Sequence, residues 1–499
     1  MANPPPKIRW AVFIGIALLA LVVRLPQLGG RPMHTDESIN AYITGALLAG
    51  EKYHYDPKDR HGPALYLLAE PLARLGGAHN LAELTESELR VGPVLIGVVT
   101  VLLFGAAVEM FGFIACVTAA LLFALGALPV YYNRYFIHET LFVAATLGLI
   151  LAGWRMLNTH SNSSSILAGF CAALMLACKE TAVIHFFALG TAVLACWRIL
   201  PAERFHRWQS FVIAGVVFIV VTVLLYTWFG QNWSGLTDLM QAVPNFAARA
   251  GGEGHAKPFS YYFELLDTSL VMFPLTVAGI YIAIWDTVNH EPNRRARSLL
   301  LLVTYGILTL LIYSAIPYKT PWLALNLWLP LVLINGLGVE AIWALIKNPT
   351  GKWVAGIVAA GFLAMVWTEA YEWVFLKPAD EKNPYAYAHT MEDMLRLPDR
   401  LNELAQQEHL SSPHIAVVAA DSWPLPWYLR KFPNIGYWQP GQTPPPADFY
   451  LTSTDVSGDL TNTLAHCRYE FFGWRPNVLL MLWTSPAPDT STNTAAGHE

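Results

Sequence analysis

Apolar residues run through this chain in long blocks that neither a two-residue nor a 3.6-residue period interrupts. The blocks lie at roughly 10–28, 90–110, 113–132, 135–154, 164–178, 181–197, 209–230, 264–286, 298–316, 321–345 and 353–372. Many reach about eighteen residues almost free of charge, enough to cross a hydrocarbon layer of about 30 Å. The pattern predicts an all-α polytopic membrane protein with about eleven spans. Two shorter segments in the loop 29–89 read differently. Ile39, Tyr42, Ile43, Ala46 and Leu47 fall on one helical face, and a second such segment runs from Pro63 to Leu75. Both are expected to be short helices lying at the membrane surface.

Beyond residue 373 the pattern changes. Residues 390–408 read as a helix that Pro398 kinks or splits, and HIAVVAA (414–420), ADFYLTS (447–453) and NVLLMLWT (477–484) read as buried strands. The expectation is a transmembrane domain over 1–372, a small soluble α/β domain over 373–486, and a polar, disordered tail over 487–499. Loop 231–262, with Gly251, Gly252 and Gly254, is expected to be mobile and to cover a site.

Composition agrees with a membrane protein. Of 499 residues 55% are hydrophobic and 13% charged, about half the charge of a soluble globular protein. The net charge of −5 lacks the basic footprint of a nucleic-acid partner. Cys116, Cys171, Cys178 and Cys196 lie in apolar blocks and Cys467 has no soluble partner, so no disulfide framework is expected. Lys7 and Arg9 precede the first block as in a signal peptide, but no small-x-small cleavage site follows. The first span is expected to be retained, with Arg24 snorkelling to the interface at its far end.

Orientation follows from the basic loops. Lys7 and Arg9, Arg155, the group Arg198, Arg204 and Arg207, the group Arg294, Arg295 and Arg297, and the pair Lys347 and Lys352 fall on alternating loops. By the positive-inside rule these face the cytoplasm. Loops 29–89 and 231–262 and the region from 373 onward then face outward.

Charges at the outer ends of spans carry the candidate chemistry, because charge near the hydrocarbon is costly without a purpose. Arg134 in YYNRYFIHET, Lys179 in ACKETA and Lys319 in IPYKTPW each sit at such an end, with His138, Glu139 and Glu180 close by. Together with Arg60 and His61 they are candidates to hold an anionic lipid headgroup. Asp36 and Glu37 in MHTDESINAY open the first surface helix, where acids suit the helix dipole and Thr35 is placed to cap it. That position keeps a carboxylate ionised, as a general base requires. Sugar transfer by direct displacement at C1 needs such a base and cations that stabilise a departing phosphate. Asp36 is the expected base, and Glu37 its orienting or ion-binding neighbour. His34, Asp36, Asp56 and Asp59 are candidate ligands for a divalent ion. Trp423, Trp427 and Tyr428 in DSWPLPWYLR are read as core of the small domain rather than a sugar platform.

The Asp–Glu pair opening the first outer loop resembles the GT-C membrane glycosyltransferases, in particular protein O-mannosyltransferases and the lipid A aminoarabinose transferase. The spacing Arg134–Tyr–Phe–Ile–His–Glu139 is similar to a pattern that recurs there. The segments HTDE, HGPALYLL, YYNRYFIHET, KET, YKTPWLALNLWLPL, NPYAYAHT and DSWPLPWYLR look closer to proteins associated with flippase activity in archaeal-type glycosylation loci. The resemblance implies a polyprenyl-phosphate sugar donor, a protein, glycan or lipid acceptor, inversion at C1, and Asp36 as base or ion ligand. Where the mannosyltransferases carry a His-Pro-Pro motif this chain has His61-Gly62-Pro63, so acceptor identity does not carry over. The alternative is a non-catalytic protein that binds or helps flip a lipid-linked glycan. A solute transporter would show internal repeats and broken spans, and the sequence shows neither.

Overall fold

The computed structural model describes residues 3–159, 161–197, 208–252, 254–266, 272–289, 294–454, 456 and 460–484. Arg198, Arg204 and Arg207 and the stretch 487–499 lie outside them. The helices in chain order are α1 (Pro6–Arg24), α2 (Thr35–Leu48), α3 (Ala64–Gly76), α4 (Glu86–Phe111), α5 (Phe113–Leu125) and α6 (Ala127–Tyr132). There follow α7 (Glu139–Thr159), α8 (Asn162–Cys178), α9 (Ala182–Trp197), α10 (Trp208–Tyr226), α11 (Ser234–Arg249) and α12 (Tyr261–Leu266). The last are α13 (Met272–Asn289), α14 (Arg294–Ala315), α15 (Ala324–Leu345), α16 (Pro349–Tyr371) and α17 (Leu397–Gln407).

The protein is a multi-pass membrane protein. Among the described residues seven helices are long and apolar enough to cross a membrane: α1, α4, α7, α10, α14, α15 with the turn before it, and α16 with the turn after it. Helices α5, α8 and α9 are apolar but shorter. One predicted block is broken: block 113–132 divides at Gly126 into α5 and α6. Of block 264–286, residues 267–271 lie outside the described ones. The bundle packs closely where small residues let backbones meet. A Cβ on Gly336 of α15 would overlap the Ala115 carbonyl of α5, and one on Gly338 the Leu275 carbonyl of α13.

Both short helices expected in the loop 29–89 form, as α2 and α3. Arg24 does not snorkel. It is fully buried, donating to Asn133 Oδ1 (3.1 Å) and to the carbonyls of Ala124 (2.8 Å) and Phe123 (2.7 Å). The break at Gly126 leaves carbonyls at the end of α5 without helical partners, and the guanidinium fills that need. Loop 231–262 carries α11.

The C-terminal region holds α17 and a five-stranded sheet of β1 (His414–Val418), β2 (Asn434–Trp438), β3 (Phe449–Ser453), β4 (Arg468–Arg475) and β5 (Val478–Thr484). Its order is β2-β1-β3-β5-β4. β1 pairs in parallel with β2 and β3, whereas β5 pairs antiparallel with β3 and β4. Pro398 sits in the first turn of α17, after a separate 3₁₀ turn over Glu392–Leu395. Trp427 and Tyr428 are buried. Tyr428 accepts a hydrogen bond from the Met33 amide (2.9 Å), Thr390 donates to the Met33 carbonyl (2.6 Å), and Trp427 donates to Glu86 (2.8 Å). One hydrophobic core therefore runs from α2 and α3 into the sheet, and this region fixes the start of α2.

Candidate active site

His34, not Thr35, caps α2. Its Nδ1 accepts from the Asp36 amide at 3.1 Å, and the Glu37 carboxylate reaches back to the His34 amide at 3.2 Å. This reciprocal box satisfies two otherwise orphaned donors and turns the neighbouring acids in opposite directions. Glu37 is completely buried. Its two oxygens meet Arg90 Nε and Nη2, each at 2.8 Å, while Arg31 lies 3.4 Å away and the Phe136 amide donates at 2.9 Å. Burial alone would raise this carboxyl, but the Arg90 and Arg31 charges and the hydrogen bonds outweigh it and hold it down to about 2. Asp36 instead faces a cavity of about 200 Å³. Its side chain is 43% exposed, with His34 Nδ1 4.0 Å from the carboxylate.

The loop after α2, the junctions before α7 and α9, helix α11 and the α14–α15 junction wall the cavity. Asp59, Arg60, His61, His138, Glu139, Lys179 and Glu180 all line it with Asp36. Lys179 Nζ stands 2.5 Å from Glu139, and this partner keeps the buried ammonium charged against the opposing effect of burial. His61 Nδ1 meets Glu180 at 2.9 Å, and Tyr55 donates to the other Glu180 oxygen at 2.8 Å. Burial would raise Glu180, yet His61 and these hydrogen bonds lower it to about 2. Burial drives His138 well below the ordinary imidazole range. Its Nε2 donates to the Gly62 carbonyl at 3.0 Å. The remaining wall is largely apolar, with Ile184, Ala242, Phe246, Ile316 and Leu323. Such a space suits a ligand that is charged at one end and apolar at the other.

Several expected positions stand elsewhere. Glu37 is enclosed and off the cavity wall. Arg134 donates to the carbonyls of Arg24 (2.8 Å), Pro26 (2.6 Å) and Gln27 (3.0 Å), capping the end of α1. Lys319 is buried and donates to the carbonyls of Lys257 (3.1 Å) and Ile316 (2.5 Å). Each uses its hydrogens on backbone oxygens that lack helical partners. The candidate metal ligands are also dispersed. Both His34 nitrogens are engaged, Nε2 with the Tyr387 carbonyl at 3.0 Å. Asp56 accepts from the Lys58 amide and Asp59 pairs with Arg60 at 3.0 Å. Among the described residues no three His, Cys, Asp or Glu side chains gather as a metal-ligand group.

Two arginines important here escape the sequence reading. Arg90, at the edge of an apolar block, is the partner of Glu37; its charge within a span was the available signal. Arg249 of α11 lines the cavity and donates to the Lys58 carbonyl. Nothing in its local sequence separates it from a solvated surface cation.

No family model and no curated protein matches the chain. Solved structures do match. The chain is similar to ArnT from Cupriavidus metallidurans in the apo state, with TM-score 0.64 and 14% identity over 95% of this chain and 97% of that one. Against the same protein bound to undecaprenyl phosphate the TM-score is 0.62 at 14% identity, over 98% and 99%. The oligosaccharyltransferase AglB from Archaeoglobus fulgidus, in complex with an inhibitory peptide and a dolichol-phosphate, gives 0.60 at 12% identity over 93% and 74%. The chain has the GT-C fold. At such identities the likeness concerns the fold and assigns no role to a residue.

Proposed function

We propose that this protein is a membrane glycosyltransferase that moves a sugar from a polyprenyl-phosphate donor to an acceptor hydroxyl at the outer face of the cytoplasmic membrane. The observation that carries this reading is the cavity itself. It brings the Asp36 carboxylate together with Arg60, His61, Lys179 and Arg249 beside an apolar wall. In solved structures of the same fold, ArnT binds undecaprenyl phosphate and AglB dolichol-phosphate.

In the proposed reaction Asp36 takes the proton of the acceptor hydroxyl as its oxygen attacks C1. The C1–O bond to phosphate breaks with its electron pair passing to the phosphate, and attack from the opposite side inverts C1. Lys179, Arg60, His61 and Arg249 offset the charge developing on the phosphate. Glu37 serves by position: its pairing with Arg90 fixes the first turn of α2 and so the direction of Asp36. The cytoplasmic placement of the N-terminus rests on the alternating basic loops.

The test uses the purified full chain in lipid nanodiscs with undecaprenyl-phosphate sugars, measuring release of undecaprenyl phosphate. Asp36→Asn is expected to lower turnover by about two to four orders of magnitude, the range of general-base catalysis, with donor binding and thermal stability kept. Full turnover by Asp36→Asn would overturn the base. Donor binding with no turnover by the unmodified chain would favour the flippase-accessory alternative.

A further inference from the structure

The mechanism leaves one polar cluster of the cavity unused. His185, fully buried on α9, places Nδ1 2.7 Å from the Tyr305 hydroxyl and Nε2 2.9 Å from the Tyr313 hydroxyl. Tyr305 is enclosed, whereas Tyr313 lines the cavity. Thr181, with its hydroxyl beside that of Tyr313, and Thr320 line it too. Tyr262 ties the two sides together: its ring lies 6.3 Å from that of Tyr313, and its hydroxyl donates to the Thr320 carbonyl at 3.1 Å. Thr320 is 1% exposed, and its hydroxyl has no hydrogen-bond partner among the described residues. A buried hydroxyl left unpaired costs free energy, and this one belongs to a residue of the cavity wall, where a ligand could supply the missing partner. Trp322, on the same segment, presents an aromatic ring to the same space.

Resting on the transferase reading, we infer that the wall formed by Tyr313, Thr181, Thr320 and Trp322 is a subsite for an uncharged sugar, with Tyr313 and Thr320 setting its selectivity. Sugar hydroxyls both donate and accept, and protein hydroxyls reciprocate in either direction. An aromatic face suits the apolar side of a sugar ring. The neighbouring Glu139 carboxylate is held by Lys179 at 2.5 Å, so it is not a free anion that would select an amino sugar. His185 makes Tyr313 adaptable. A neutral imidazole has one donor and one acceptor nitrogen. When Nε2 donates to Tyr313, the tyrosine hydrogen is free for the ligand. In the other tautomer Tyr313 donates to the ring and offers the ligand an oxygen lone pair.

The experiment measures binding of undecaprenyl phosphate and of undecaprenyl-phosphate glucose to the full chain in nanodiscs. Thr320→Val removes a hydroxyl that bonds nothing among the described residues, and Tyr313→Phe keeps the ring. Each is expected to weaken the glucose-bearing lipid by about three- to ten-fold, the worth of one hydrogen bond, and to leave undecaprenyl phosphate within two-fold. Equal weakening of both lipids, or of neither, overturns the subsite. So does wild-type preference for a 4-amino-pentose lipid over the glucose lipid. The expected binding pattern without any transfer supports the subsite and sinks the transferase reading alone.

Discussion

Glu37 and Arg90 meet side by side in the protein interior, Oε1 to Nε and Oε2 to Nη2, both at 2.8 Å. Arg90 also donates to the carbonyls of Leu28 (2.6 Å), Arg31 (3.0 Å) and Pro32 (3.3 Å). A single guanidinium thereby joins α4, the strand of chain after α1, and the first turn of α2. Removing one member of a buried pair leaves the other charge uncompensated, at a cost of about 3–5 kcal/mol. Glu37→Gln is expected to lower the thermal unfolding midpoint markedly, measured by intrinsic fluorescence in detergent. Asp36→Asn should leave that midpoint within a degree or two. Equal stability losses for the two neighbours would refute the division of roles between them.

The same pairing sets a pH dependence. Glu37 and Glu180 both have carboxyls lowered to about 2 in the folded protein, against an ordinary value of 4.5. A lowered folded-state value contributes stability above the unfolded-state value, and that contribution is lost as pH falls through the folded one. Stability from these two groups is therefore constant above about pH 5 and declines between about 4.5 and 2. The expected result is a falling unfolding midpoint over that window. Glu180→Gln should flatten part of the slope, because the variant has no proton to take up there.

How much of this could be read from the chain depended on whether the deciding partner was local. The apolar blocks and surface helices are local patterns, and so are β1, β3 and β5, whose mostly apolar runs pass through the middle of the sheet. β2 and β4 escaped because they are its two edges. Tyr437, Tyr469 and Phe471 are exposed there, and Gly436, Arg468 and Glu470 interrupt any apolar run. Arg24 and Arg134 look like interfacial cations in sequence, since a basic residue at a span end normally reaches for water. Their partners are carbonyls freed by the end of α5 and of α1, a tertiary fact no spacing records. Asp36 and Glu37 are adjacent in sequence, but only the His34 capping geometry separates a cavity-facing acid from an enclosed one.

The cations divide in the same way. Arg60 and Arg249 line the cavity, whereas Arg134 and Lys319 satisfy backbone carbonyls. Arg249→Ala and Arg60→Ala are expected to weaken undecaprenyl phosphate by about ten-fold each, the effect of losing one charge-assisted hydrogen bond. Stability should change little, because both residues are partly exposed and surface pairs contribute under about 1 kcal/mol. Arg134→Ala and Lys319→Met should do the reverse, lowering the unfolding midpoint while the correctly folded fraction binds the lipid as before. Paired titrations and melting curves on the four variants separate the two groups. Loss of lipid affinity in Arg134→Ala without loss of stability would return that residue to the site.

Gly62 offers the sharpest steric test. It stands between His61, which pairs with Glu180, and Pro63, which begins the approach to α3, and its carbonyl holds His138. A Cβ at this position would overlap the carbonyl of Ala177, near the end of α8, and come within 2.9 Å of the Tyr226 hydroxyl. That hydroxyl is itself fixed by the Leu176 carbonyl at 2.8 Å, so neither neighbour gives way easily. Overpacking of this kind costs about 1–3 kcal/mol, and the relief available is an outward shift of the His61–Pro63 segment. Such a shift carries His61 away from Glu180 and disturbs the cavity wall that His61 helps to form. Gly62→Ala is therefore expected to lose most turnover and much of the donor affinity, although it adds one methyl group and removes no polar atom. Gly77→Ala, where open space surrounds the position but φ is 97°, should cost stability alone. Normal turnover in Gly62→Ala would show that the His61 wall is not held by this contact.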